Sequence, residues 1–541
     1  MPRGGRSLPA LLRGVFAWAF ARRLPVPGAP ALVIDDSWHG AAAHGRLLIE
    51  GRLATPHGEI DLIAAWRRPA TAAKVAAGTP AAFGWLRDLR ELGGEAARLK
   101  ARELVQAWFD GGRPGGGAAA DITARRVVHW IGHFSFFCAS ADDDFRRAFM
   151  AQIAADAANL RRTLSLGQTG SSPLVVFKGV LWATLFLTGG LDGRRHFERW
   201  LGDALAASFD ANGGPIDRAP DSAARALADL IDIRQAFRAA GHEEPEPVAS
   251  AIEAATAWVR MMRHGDGGLA CFNGAAAMSG PDLDHLLTVA DSKARALREA
   301  RDSGYMRLVG GRTVVVIDGG IGAVGAVGAA RSHAAPLAFE MSVGRQRLVV
   351  NCGAAAHDDR WSTPLRATAA HSTLIVDDCN AVAIAADGRI ARRPDLARAR
   401  RDVAERNQWF EGEHDGYAAR YGVVHRRRLF LAAAGGDLRG EDMLVYGGGP
   451  TQRGKRAVVR FHLHPRVSAS LVQNGTEVLL RLPSGTGWRF RVAGGAVALH
   501  DSVYFGDGGL ARCQQIVVDA DLDTALDQGT CQIKWAFRRE G

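Results

Sequence analysis

The period at which apolar residues recur changes once along this chain, near residue 305, and no other feature constrains its fold as much. Before that point the spacing is helical. Trp85, Leu86, Leu89 and Leu92 form one stripe, and Leu104, Val105, Trp108 and Phe109 the next. A third begins at Phe145, Phe149, Met150 and Ile153 and continues to Leu160 and Leu164, behind an acidic first turn at Asp142, Asp143 and Asp144. Further helices are predicted over Leu174–Leu187, Phe197–Phe209, Ala223–Phe237 and Val248–Met262, with breaks such as Gly111–Gly117 between segments. After Tyr305 the chain reads as short strands: Thr313–Ile317, Leu337–Val343, Arg347–Val350, Ser372–Val376, Val423–Leu431, Val458–Leu463, Val478–Leu482, Trp488–Val492 and Gln515–Val518. Many strands without intervening helices specify an antiparallel sandwich rather than a parallel sheet. The expected class is therefore α+β multidomain, with an all-α array over residues 1–304 and a β-sandwich over 305–541.

A chain of 541 residues with 47% hydrophobic and 23% charged residues is long enough to bury a large core and is not a disordered polymer. The net charge is +10, and arginine carries nearly all of it, since lysine occurs only at 74, 100, 178, 293, 455 and 534. Arginine is suited to bidentate capture of carboxylate, sulfate and phosphate, so an anionic partner is compatible with this balance. Nucleic acid is not expected. The run Arg426–Arg428 alternates across a strand, the run 391–402 is broken by Asp395 and Asp402, and no nucleic-acid-binding signature accompanies either. The six cysteines form no CxxC pair, which excludes a zinc ribbon and a thioredoxin-type centre. No apolar run reaches membrane-spanning length. Leu8–Phe20 carries Arg13 in its middle and precedes Arg22 and Arg23, so it reads as an amphipathic helix rather than a cleavable leader.

One motif opposes this architecture. Gly320-Ile-Gly-Ala-Val-Gly325 is a literal GxGxxG after a strand, with Glu340 about twenty residues on, where a dinucleotide fold places its ribose-binding acid. The fingerprint requires a helix next. Gly325, Gly328 and Pro336 interrupt the only available segment, so a Gly/Ala loop leading into a strand is the expected structure.

The stretch from Arg331 carries the chemistry. It reads Arg331-Ser-His333, then a strand ending in Asn351-Cys-Gly, then His371-Ser-Thr-Leu. Two histidines and an Asn/Asp-type residue thus fall at the ends of successive strands. With Ser-Gly-Tyr305, His414-Asp-Gly-Tyr417, His425-Arg-Arg-Arg and Arg460-Phe-His462-Leu-His464-Pro, this set resembles the heparinase II/III-like polysaccharide lyases over most of the chain. The resemblance implies an N-terminal (α/α) toroid, the C-terminal sandwich and β-elimination on a uronate-containing glycan. It also implies a structural zinc in the sandwich and, by family habit, a cell-envelope or periplasmic location.

Such an elimination needs a cation or metal to neutralise the uronate carboxylate, a base for the neighbouring proton and an acid for the departing oxygen. Carried over by position, His333 is the sandwich histidine, and His333, Asn351 and His371 form the expected metal set, with a neutral Asn351 where the family has an aspartate. Arg218 matches the toroid arginine that can clamp a carboxylate. Ser222 falls where the family has its tyrosine, which leaves Tyr417 or Tyr421 as candidates for the acid. His129 and Trp130 are expected to meet a sugar face, and Arg331 to bind substrate. Two further readings stand beside the lyase. One is a non-catalytic glycan-binding relative without the tyrosine and the Asn-His pair. The other is hydrolysis by paired carboxylates at Asp217 and Asp221.

Overall fold

The computed structural model describes residues 24–55, 58–67, 80–111, 119–170, 172–191, 193–320, 331–355, 358–448, 454–507, 509–526 and 529–540. The N-terminal Leu8–Phe20 segment, most of Gly111–Gly117 and the glycine motif beyond Gly320 lie outside them. The change of periodicity is real in the structure, and the element positions follow it closely. Helices occupy Gly94–Asp110, Ala120–Gly132, Asp143–Leu166, Pro173–Thr188, Arg194–Ser208, Pro220–Ala239 and Glu246–Met261, and strands dominate from Glu299 onward.

Two compact units form, and their division does not coincide with residue 305. One comprises residues 1–208 and 228–251; the other comprises 209–227 and 252–541. The segments 209–227 and 252–304 therefore belong with the sandwich, because Arg218, Asn273 and their neighbours are bound to strand residues of that unit.

In the first unit, local sequence sets the helix ends. The Asp142 carboxylate accepts from the Phe145 amide at 2.8 Å, and Gly167 closes the same helix at φ 67°. Pro173–Thr188 is buried from Pro173 to Leu187 and has no polar face, as expected of a central helix. Its one charge, Lys178, is neutralised by Asp229 and Asp232. Trp130 packs against Phe83, Trp108, Phe109 and Phe149 with ring centroids 5.1–5.7 Å apart.

The second unit contains two large antiparallel sheets and a two-stranded ribbon of Ala383–Ile384 and Ile390–Arg392. In the nine-stranded sheet the spatial order is Ala496–Tyr504, Ala511–Asp521, Arg456–Leu463, Gln346–Val350, Phe339–Val343, Thr313–Asp318, Tyr305–Gly310 and Glu299–Ala300, with Leu374–Val376 also on Arg456–Leu463. The eight-stranded sheet runs Ala397–Ala404, Asn407–His414, Val423–Leu431, Asp437–Tyr446, Thr530–Arg539, Gly487–Ala493, Glu477–Arg481 and Ser468–Val472. Their inward side chains make one core in which Phe339 stacks on Trp535 at 5.6 Å and Phe461 meets Trp535 at 4.8 Å. Gly440 lies opposite Trp535 in register, and a Cβ there would come within 2.1 Å of the indole, so only glycine admits that ring.

The alternation expected for Arg426–Arg428 is present. Arg427 is fully buried, whereas Arg426 and Arg428 bind Glu413 and Glu411 on the outer face. Inside, Arg427 holds both oxygens of Asp442, and one Nη donates to the Leu337 and Ser372 carbonyls at 2.8 Å each. Trp535 Nε1 donates to Asp442 at 2.8 Å. The dinucleotide fold is excluded, since Glu340 sits within an antiparallel strand between Thr313–Asp318 and Gln346–Val350.

Candidate functional site

Two of the strand-end residues singled out from the sequence meet. His333 lies in the turn before Phe339–Val343 and His371 just before Leu374–Val376; His333 Nδ1 and His371 Nε2 are 2.8 Å apart. The tautomers follow from the partners. His371 Nδ1 lies 2.8 Å from the Ala367 carbonyl, which only accepts, so Nδ1 carries the proton and Nε2 a lone pair. His333 must then donate from Nδ1, which leaves its Nε2 as an acceptor. Burial keeps the pair neutral: it pushes His371 down to about 4, and burial together with the neighbouring His371 holds His333 well below its ordinary value.

His333 borders a small cavity of about 80 Å3 whose wall includes Arg218, Asn273, Asp318, Ser332 and Arg393. That volume admits a carboxylate or a few waters rather than a sugar ring. Asn273 fixes the local backbone: its Oδ1 accepts from the His333 amide at 3.1 Å, and its Nδ2 donates to Tyr305 Oη at 2.7 Å. Arg218, at φ 59°, stacks over the Tyr305 ring at 4.9 Å, donates to the Ser303 carbonyl at 2.7 Å and pairs with Asp318. Burial alone would lower its pKa, but the Asp318 carboxylate raises it above the ordinary value. Arg218 is thus a charge already paired, and its clamp role would require exchanging Asp318 for a ligand anion.

The metal set does not assemble. Asn351 Oδ1 accepts from the Ser372 amide at 3.0 Å, and its Nδ2 donates to Glu340 Oε1 at 3.2 Å. Both ends of the amide are therefore engaged, and a carboxylate at this position would face the carboxylate of Glu340. His333 and His371 are bonded to each other. Among the described residues no group of three or more His, Cys, Asp or Glu side chains is placed to hold a metal. The residues do not fit the expected zinc site.

Other expected site residues have structural duties. Tyr417 is fully buried, donates to the Leu374 carbonyl at 3.0 Å and has its pKa raised by burial, so it is a core residue and not the acid. Tyr421 is likewise buried, with its hydroxyl on Cys379 Sγ at 3.0 Å. Trp130 is inside the aromatic core of the first unit, where no sugar can stack, and His129 bonds the Ala82 carbonyl at 2.6 Å. Arg331 is bound by Asp221 at 2.7 Å, Ser222 at 2.8 Å, Asp217 at 3.5 Å and the Gly274 carbonyl at 2.6 Å. Asp217 and Asp221 consequently share one guanidinium, an arrangement unlike a carboxylate pair facing across a sugar. Ser222 also donates to Asp217 at 2.6 Å.

Sequence reading weighed Glu340 only as a ribose-binding acid and missed that it organises this end of the sheet. Glu340 Oε1 accepts from the Cys271 and Asn351 amides at 3.1 and 3.0 Å, and Oε2 binds His264 Nε2 at 3.0 Å. The available signal was a lone acid inside the apolar run Leu337–Val343. Asp318, at the end of another apolar strand, carried the same signal.

Residues 292–536 match the heparinase II/III-like C-terminal family. The chain is 29% identical to the FtsZ-localized protein C of Caulobacter vibrioides (strain NA1000 / CB15N), over 99% of this chain and 98% of the relative. Among solved structures it is similar to a heparinase III at TM-score 0.64 and 12% identity, covering 98% of this chain and 89% of that one. It is also similar to the heparan sulfate lyase HepC of Pedobacter heparinus at TM-score 0.57 and 12% identity, covering 98% and 87%. At such identities the likeness to solved structures is one of fold. No helix among the described residues is long and apolar enough to cross a membrane.

Proposed function

We propose, for a chain whose residues 292–536 form a heparinase II/III-like C-terminal domain, that it binds an acidic, uronate-containing glycan but does not cleave it by the family's elimination route. The observation that carries this reading is the state of the acid position. Ser222 stands there, locked between Asp217 and Arg331, while Tyr417 is closed into the core. The anion-handling half is kept in the arginines: Arg218 and Arg393 border one cavity where a single carboxylate fits, and the His333 Nε2 lone pair beside them accepts from a hydroxyl of the ligand or a water rather than from the carboxylate itself. Proton transfer by a positioned acid or base is worth about 10²–10⁴ in rate, so losing the acid slows elimination by that factor while leaving recognition in place.

Calorimetric titration with uronate oligosaccharides tests the binding. The parent chain is expected to bind, and His333→Ala to weaken binding about tenfold, the loss of one good polar contact. Equal affinity of the two proteins would remove His333 from the site.

A second reading concerns place rather than chemistry, and the end-to-end match to the FtsZ-localized protein C supports it. On this reading the chain shares the localisation for which that relative is named. A fluorescent fusion is expected to coincide with FtsZ, and a uniform signal would set the reading aside.

A further inference from the structure

We propose that the outer face of the eight-stranded sheet is a second glycan-binding site, a trough that seats a uronate-bearing chain on Trp409 and Phe430. This rests on the acidic-glycan reading above and extends it to a surface with residues of its own. The trough encloses about 800 Å3, ten times the cavity beside His333, and is large enough for sugar rings.

The strand register builds it. In one row across the sheet, Trp409 pairs with Phe430, Phe430 with Arg439, Arg439 with Ala536, and Ala536 with Arg491. Ala536 and Ala493 keep the floor low. At one end Trp409 is 46% exposed and meets Phe430 with centroids 4.6 Å apart, and the Arg439 guanidinium lies 5.4 Å from the Phe430 ring. An indole left in water on a sheet face gives up burial free energy that a core position would supply. It offers an apolar platform to the C–H face of a sugar.

The charge is complementary to a polyanion. Arg428, Arg439, Arg491, Lys534 and Arg538 line the trough against one carboxylate, Glu441. These cations rest in surface pairs, Arg439 with Asp437 and Arg491 with Glu477 among them, and such exposed pairs add little to stability. Arriving carboxylates can replace them at little cost. Arg439 and Arg491 sit two strands apart, about 10 Å at ordinary strand spacing, so they can hold charges on separate sugars of one chain. A peptide fits less well. The trough is a sheet face whose backbone groups are bonded to neighbouring strands, and strand addition requires a free edge.

The experiment titrates the full chain with a heparin-derived hexasaccharide, neutral cellohexaose and hexaglutamate. Trp409→Ala and the double variant R439Q/R491Q are each expected to lower hexasaccharide affinity about tenfold with unchanged thermal unfolding, and the double variant also to flatten the salt dependence. His333→Ala, measured in parallel, separates the two sites. Loss on Trp409→Ala with His333→Ala silent upholds the trough and fails the cavity. Loss on His333→Ala alone overturns the trough and keeps the cavity. No hexasaccharide binding by the parent, equal binding of cellohexaose, or equal binding of hexaglutamate through Trp409 would each overturn the proposal.

Discussion

Asp442→Ala is expected to destabilise the sandwich by about 3–5 kcal/mol, the usual consequence of removing one partner from a buried ion pair. Asp442 is wholly enclosed and satisfies Arg427 through two bonds, the Trp535 indole through a third and His425 Nε2 through a fourth at 2.8 Å. The chain of donors continues outward. The Gly416 amide donates to His414 Nδ1 at 3.1 Å, so His414 Nε2 carries the proton given to His425 Nδ1, and His425 in turn donates to Asp442. Deleting the carboxylate strands a buried guanidinium that also ties the Leu337 and Ser372 carbonyls, on the segments that carry His333 and His371. Arg427→Met combined with Asp442→Leu removes both charges and is expected to recover most of the loss. Urea unfolding of the three proteins measures it, and a single-variant loss below about 1 kcal/mol would mean the pair is solvated.

Acid will destabilise the protein from about pH 6.5 downward, well before carboxylates titrate. Burial pushes His371 to about 4 and His462 to about 3, against 6.5 in an unfolded chain. Between those limits the unfolded state binds protons that the folded state refuses, so stability is full above pH 6.5 and falls as pH drops. Each such histidine contributes about 1.4 kcal/mol per pH unit, so His371 alone costs about 3 kcal/mol by pH 4. His462 adds to this, because burial disfavours its charged form where Nε2 is on the Ala369 carbonyl at 3.0 Å and Nδ1 on the Ser502 hydroxyl at 2.8 Å. Denaturant midpoints recorded from pH 8 to pH 4 are expected to decline steadily below about pH 6.5. A flat profile down to pH 4.5 would show that these rings are not closed off from water.

The fold was legible because its two periods are distinct, and because Asp142, Gly167 and the turn residues punctuate them. The helix predicted over Leu174–Leu187 spans Pro173–Thr188, and the strand Val423–Leu431 has the bounds read from the sequence. The site was half legible. The meeting of His333 with His371 follows from strand ends placed side by side, which alternation and family likeness both indicated. Spacing says nothing about which polar groups already have partners. Arg218, Arg331 and Asn351 are the right residue types for an anion or a metal, but Asp318, Asp217 and Asp221 reach the two arginines first from distant parts of the chain, and Glu340 reaches Asn351 from the neighbouring strand. Tyr417 and Trp130 failed for the related reason that an amphipathic ring reads alike in a core and in a cleft.

Recognition of an acidic glycan without elimination is tested by the ultraviolet absorbance of the full chain incubated with a uronate oligosaccharide that calorimetry shows it binds. Elimination creates a conjugated double bond that absorbs, whereas binding alone creates none. With Ser222, at the position that the resemblance gives to the acid, held by Asp217 and Arg331, the trace is expected to stay flat over hours at saturating ligand. A rising absorbance that disappears in His333→Ala would contradict the account and establish a lyase with a different acid.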